Sequence, residues 1–239
     1  MIDTHRIMLR LVLGSLALAL AQGCIIIDDT DENAPAACPQ REDGACFAVS
    51  ASCPPDAVNL NVFTQPTGAT GAFMDPFDCA AGGTVIVDPG SYDVRVEATN
   101  ADEDVLFGAP AAMGNEVTDL DDVPLAFEFP SGKGFFWLGW TLEMDGSPVA
   151  CEDVGAASIE VEATLTSAGT SSTDVLPCLY GGWQTRALDL GEYDITVTLL
   201  DDGGTALGPP SEAIPGELAA DSELVALPDV TFDIAAAAR

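Results

Sequence analysis

The chain has 239 residues, of which 39 are Asp or Glu and 7 are Lys or Arg, a formal net charge of −32 at neutral pH. A surface of that sign repels nucleic acid and anionic lipid headgroups, so charge recruits neither. The one histidine, His5, lies at the extreme N-terminus. Ser-His-Asp or Cys-His catalysis and histidine-based zinc sites therefore have no imidazole in the remainder of the chain.

Residues 1–10 carry His5, Arg6 and Arg10, and Leu11 to Ala21 then run without a charge. At about 1.5 Å per residue this run is too short to cross a hydrocarbon layer of roughly 30 Å. A basic start, a short apolar core and small residues at its end describe a secretory signal, and no later stretch is long and apolar enough for a transmembrane helix. Two cleavage points compete. Cleavage after Ala19-Leu20-Ala21 would release a soluble protein. The run Leu20-Ala21-Gln22-Gly23-Cys24 resembles instead the lipobox of a bacterial lipoprotein, with Ala21 where leucine is usual and Leu20 one place further back. That resemblance implies a signal peptide over 1–23 and a lipidated Cys24 bearing three acyl chains; stable anchoring takes more than one. Loss of Arg6, Arg10 and Asp3 from 7 basic and 39 acidic residues leaves 5 and 38. Lipid, not charge, would then hold the protein at a membrane. Ile25 stands where an aspartate favours inner-membrane retention in some bacteria, which favours the outer membrane, on its periplasmic or surface face.

Seven cysteines are an odd number for an exported chain, in which cysteines pair. Lipidation of Cys24 leaves Cys38, Cys46, Cys53, Cys79, Cys151 and Cys178. An internal repeat selects among their pairings. Cys53 and Cys79 are spaced almost as Cys151 and Cys178 are, so each unit has its own bridge, and Cys38–Cys46 follows by exclusion. Residues 24–45 read as a lipidated tether with a small disulfide loop, and 25–37, rich in Asp, Ala and Pro, as a flexible spacer.

The rest of the chain occurs twice. Val87-Asp88-Pro89-Gly90-Ser91-Tyr92-Asp93-Val94-Arg95-Val96 is matched by Leu188-Asp189-Leu190-Gly191-Glu192-Tyr193-Asp194-Ile195-Thr196-Val197. Leu106-Phe107-Gly108-Ala109-Pro110 is matched by Ala206-Leu207-Gly208-Pro209-Pro210, and Leu125-Ala126-Phe127-Glu128-Phe129 by Val230-Thr231-Phe232-Asp233-Ile234. Apolar residues alternate with polar ones at Val58, Leu60 and Val62, at Ile159, Val161, Ala163 and Leu165, and at Tyr193, Ile195, Val197 and Leu199. This is the period of strands with one dry and one wet face. Turn signals such as Asp88-Pro89-Gly90 and Asp201-Asp202-Gly203-Gly204 separate them. The expectation is an all-β chain of two tandem antiparallel β-sandwiches, at 46–130 and 131–234, with a tail at 235–239.

The pattern apolar-x-Pro-Gly-x-Tyr-x-Val-x-Val resembles the late strand of bacterial prealbumin-like and carboxypeptidase-regulatory-like domains, in the wider immunoglobulin-like group. Tyr92 and Tyr193 are expected to bury their rings and direct their hydroxyls to nearby backbone. The cysteine spacing departs from antibody-type domains; each bridge is expected to clamp a local strand-loop-strand excursion. Some related Gram-positive surface domains form a lysine–asparagine crosslink. Lys133 lies between the units and residues 131–239 hold no asparagine, so the disulfides take that stapling role.

Few residues stand out for chemistry. Carboxylates are too many for one pair to mark an acid–base site, and the expectation is a non-enzyme with no cofactor. Calcium is the candidate ion, on oxygen ligands from Asp102, Asp104, Asp119, Asp121 and Asp122, with Asp201-Asp202 a further acidic loop. Phe136, Leu138, Trp140, Leu142 and Met144 share the core face of one strand; Phe135 and Trp137 fall on the other. Phe135, Trp137 and Trp183 are candidate contacts for a glycan or protein partner, with packing between the two units as the alternative for the first two. The function expected is a lipid-anchored envelope protein serving as a binding, adhesive or structural module. Carbohydrate binding through exposed aromatics comes second and a carboxylate hydrolase third.

Overall fold

The structure, a computed structural model, describes residues 45–119 and 122–234, all within one compact unit of the chain, 35–239. Its N-terminal half holds β1 (Ala45–Ser52), β2 (Asn59–Pro66), β3 (Phe73–Asp78), β4 (Gly83–Val87), β5 (Gly90–Thr99), β6 (Val105–Gly108), β7 (Ala112–Val117) and β8 (Asp122–Glu128). They form two sheets, β4-β1-β8 and β3-β2-β5, with β6 and β7 both along the far edge of β5. Alternate residues of each strand point between the sheets, so Phe47 and Val49 meet Leu60, Val62, Val94 and Val96, all fully buried.

The C-terminal half repeats the plan. Its elements are β9 (Lys133–Met144), β10 (Ser147–Pro148), β11 (Ser158–Leu165), β12 (Thr170–Pro177), β13 (Gly182–Gln184), β14 (Leu188–Asp189), β15 (Gly191–Leu200), β16 (Ile214–Leu218), β17 (Leu224–Ala226) and β18 (Val230–Asp233). One sheet runs β12-β11-β15-β16; the other gathers β10, β13, β14, β17 and β18 along the long β9. Its core holds Phe136, Leu138, Ile159, Ile195 and Val197. The chain is thus all-β, in two sandwiches with separate hydrophobic cores. Most pairings are antiparallel, but β1 runs parallel to β8, and β9 parallel to β17 and β18. Period-two alternation fixes a strand's faces and carries no information on the direction of its neighbour, so sequence reading did not anticipate these ladders.

The repeated tyrosines have one structural job. Tyr92 donates its hydroxyl to the Asp88 carbonyl at 2.9 Å, and Tyr193 to the Asp189 carbonyl at 2.8 Å, each four residues upstream. Each ring meets a buried phenylalanine edge-on, Phe47 at 5.8 Å and Phe136 at 5.7 Å. Gly191, with φ of 147°, permits the second turn in a conformation that side chains disfavour.

Cys53–Cys79 and Cys151–Cys178 are disulfides with Cα separations of 5.9 and 6.1 Å, closing spans of 26 and 27 residues. Each span does contain one hairpin, β2–β3 or β11–β12. Its ends, however, follow strands of opposite sheets, β1 and β3 or the β9–β10 pair and β12. Each bridge therefore staples sheet to sheet at one rim and is not a purely local clamp, a distinction that needs the assignment of strands to sheets. A loop of this length contributes about 3–4 kcal/mol. Cys46 is also disulfide-bonded. Its expected partner Cys38 lies outside the described residues, as do Cys24, the signal segment and the tail.

Candidate functional site

The most developed polar and aromatic constellation lies where the sandwiches meet. On the outer face of the N-terminal sandwich, β2 and β5 align Phe63 with Arg95, Gln65 with Asp93 and Asn61 with Glu97. On the outer face of β9, alternation places Phe135 and Trp137. The Arg95 guanidinium lies 3.6 Å from the centroid of Phe63 and 4.4 Å from that of Trp137, one ring from each sandwich. Arg95 also pairs with Glu97, and both side chains are nearly buried. Burial lowers the Arg95 pKa from its usual value, while Glu97 opposes that shift by charge and hydrogen bond.

Asp93, also buried, accepts from Tyr180 Oη across the interface, from Thr67 Oγ1 at 3.4 Å and from the Gly114 N–H at 2.6 Å. The Tyr180 hydroxyl is held well above its ordinary pKa, first by burial and then by its bond to Asp93. Gln184 Nε2 donates to the Ala109 carbonyl at 2.5 Å. The Gly108 N–H donates to the Ser222 carbonyl at 2.8 Å, and Phe107 pairs with Glu223 in an antiparallel bridge. A Cβ on Gly108 would stand 3.2 Å from the Phe135 ring, so the glycine allows the two backbones to approach.

The three candidate aromatic contacts fare differently. Phe135 is fully buried and Trp183 nearly so, 5.1 Å from the Tyr180 ring. Neither presents a face to a ligand, which corrects their reading as contact residues. Trp137 is partly buried beneath Arg95. Alternation assigned Phe135 and Trp137 to the outer face correctly, but a second sandwich covers that face.

The acidic loops hold turns together. Asn100 Oδ1 accepts from the N–H groups of Asp102 and Asp104, each at 2.9 Å, and Asn100 Nδ2 donates to Asp104 Oδ2 at 3.2 Å. Asp201 Oδ1 likewise accepts from the Gly203 and Thr205 N–H groups. Asp122 opens β8, Asp119 is exposed at the preceding turn, and Asp121 lies outside the described residues. Among the described residues no three Asp, Glu, His or Cys side chains gather as a metal site, so the calcium expectation finds no ligand set there.

Sequence reasoning missed Asp93, Arg95, Tyr180 and Gln184. The one signal for the first two was the copy: Arg95 and Glu97 correspond to Thr196 and Thr198, so the N-terminal unit spends charges where its twin uses hydroxyls.

No family model matches the chain, and comparison with curated proteins yields no match. Among solved structures the chain is similar to a leucine-rich repeat protein from Bacteroides thetaiotaomicron, with 14% identity and a TM-score of 0.44 over 82% of this chain and 27% of that one. It is also similar to the minor pilin of Streptococcus agalactiae, with 11% identity and a TM-score of 0.29 over 81% and 97% of the two chains. A third is the pilus adhesin SpaC from Lactobacillus rhamnosus GG, with 12% identity and a TM-score of 0.24 over 80% and 31%. This chain thus spans about a quarter of the length of the first protein. At these identities and scores the likenesses carry no functional argument.

Proposed function

We propose that this chain is a bacterial envelope lipoprotein, held by lipid on Cys24, whose two sandwiches at 46–130 and 131–234 form a rigid, non-catalytic binding or adhesive module. The observation that carries the module reading is the buried joint between the sandwiches. Across it Tyr180 donates to Asp93, and Arg95 lies on Trp137 from the other side. Groups so engaged fix one domain against the next, which suits presentation of a surface and leaves these residues unsuited to turnover. The absence of histidine after His5 supports the non-catalytic reading. The prealbumin-like form is favoured by the repeated glycine–tyrosine turn. Attachment rests on the lipobox resemblance and on Cys24 as the cysteine left over once the other six pair.

Metabolic labelling with an alkyne fatty acid tests the anchor. Label should enter the wild-type chain and vanish from Cys24→Ser; equal labelling of both removes the anchoring reading. Proximity labelling from the anchored protein then reports partner and leaflet. The carbohydrate reading is weakened by the burial of Phe135 and Trp183.

A further inference from the structure

The repeat shows what one of its own elements does when covered. In the N-terminal sandwich, Phe107-Gly108-Ala109 follows β5 with Phe107 opposite Ala98; the turn residue Ser222 of the other sandwich accepts from the Gly108 N–H, and Glu223 after it forms an antiparallel bridge with Phe107. The equivalent segment, Leu207-Gly208-Pro209, follows β15 with the Leu207 N–H bonded to the Leu199 carbonyl at 2.9 Å, the same register. Here the segment is exposed, Leu207 at 42%.

Beside it a slot of about 370 Å³ opens between this segment and β18, lined by Leu199, Leu207, Pro209, Val230, Phe232 and Ile234. At two positions around it the copies differ in side-chain size. In the N-terminal sandwich the corresponding positions hold Phe107 and Phe129, which meet edge-on at 6.4 Å. Leu207 and Ile234 stand in their places and are smaller. The outer edge of β18 pairs with no described residue.

Charge narrows the occupant. Asp233 lines the slot and the exposed Glu212 adjoins its Ser211 wall. The three Lys and Arg among the described residues are already paired, Arg95 with Glu97, Lys133 with Asp189 and Arg186 with Asp174. No described cation is left to balance an acidic rim.

We propose that this slot is a docking site for an extended, cationic peptide segment of a partner protein. Its backbone would bridge Leu207 as Glu223 bridges Phe107 and accept from the Gly208 N–H as the Ser222 carbonyl accepts from Gly108, with one apolar side chain in the slot and Lys or Arg at the rim. The proposal deepens the binding-module reading by naming site and partner class, and it is tested on the purified chain, where lipid anchoring plays no part.

The probe is a short fluorescent peptide of alternating Lys and Val, followed by polarisation. Wild type should bind it, with affinity falling as salt rises. Leu207→Phe/Ile234→Phe, which recreates the phenylalanine pair of the other sandwich, should weaken binding by about tenfold or more with an unchanged circular dichroism melt. Asp233→Lys should weaken it too without filling the slot, so the test stands even if the double variant folds poorly. The proposal is overturned if wild type fails to bind, if a Glu–Val peptide binds as well, or if the filled variant binds like wild type. It is equally overturned if binding appears only after deletion of residues 235–239, which gives the slot to the chain's own tail. Sedimentation showing a dimer abolished by the filled variant would assign the slot to a second copy and overturn it as well.

Discussion

On the outer face of β5, Asp93, Arg95 and Glu97 lie beside Asn61, Phe63 and Gln65 of β2; on the outer face of β15, Asp194, Thr196 and Thr198 lie beside Glu160, Glu162 and Thr164 of β11. The first face is buried against another sandwich. The second meets water, with Asp194 and Glu162 exposed. Register for register, Arg95 opposite Phe63 becomes Thr196 opposite Glu162. An arginine that lies flat on a ring and finds a carboxylate beside it can be dried at low cost. A glutamate opposite a threonine has no cation to meet it, and drying it would cost several kcal/mol (roughly the unpaired-charge penalty). These two positions thus suit one face to burial against a neighbour and the other to water.

The comparison can be pressed first where the copies agree. Phe47→Ala and Phe136→Ala each remove a buried ring that meets a corner tyrosine, and each should cost about 3–5 kcal/mol in urea unfolding. A large difference between them would show that the cores are not equivalent. Next, Arg95→Ala should cost about 3 kcal/mol, because it strands Glu97 and removes the cation that contacts both Phe63 and Trp137. Arg95→Met, which keeps the stem, should recover part of that loss. Tyr180→Phe should cost about 2 kcal/mol by leaving buried Asp93 one donor short.

The Tyr180 phenol, its pKa raised above 10.0 in the folded chain, also sets an alkaline limit. The folded form holds this proton more tightly than the unfolded chain. Its contribution is therefore complete below about pH 10 and declines as pH rises beyond it. Urea midpoints at about pH 8 and about pH 11 should fall less in Tyr180→Phe than in wild type. The smallest effect is expected on the wet face, where Thr196→Ala should change stability by no more than about 0.5 kcal/mol. A loss there as large as that of Arg95→Ala would mean that the β15 face is not free.

Much of the fold was legible because the signals were local. Tyr92 and Tyr193 follow their glycines at fixed spacing, and strand alternation places their rings inward whatever surrounds them. The two bridges were legible through the repeat. The joint was not, because Tyr92-Asp93-Val94-Arg95-Val96 states only that Asp93 and Arg95 share the face opposite Val94. What lies across from that face is supplied by residues far along the chain, Trp137 opposite Arg95 and Tyr180 opposite Asp93. Trp183 was ambiguous for the same reason, since its surroundings come from β9 and a turn of 3-10 helix that no periodicity announces.

The parallel pairing of each sandwich's first strand with its last has a mechanical meaning. Chain enters β1 at one end of its ladder with β8 and leaves β8 at the opposite end, and β9 and β18 are arranged likewise. A pull applied between the two ends of a sandwich then loads its ladder along the strands, in shear. Hydrogen bonds lying across the line of force give way together and not one at a time, so both sandwiches present their strongest direction to tension.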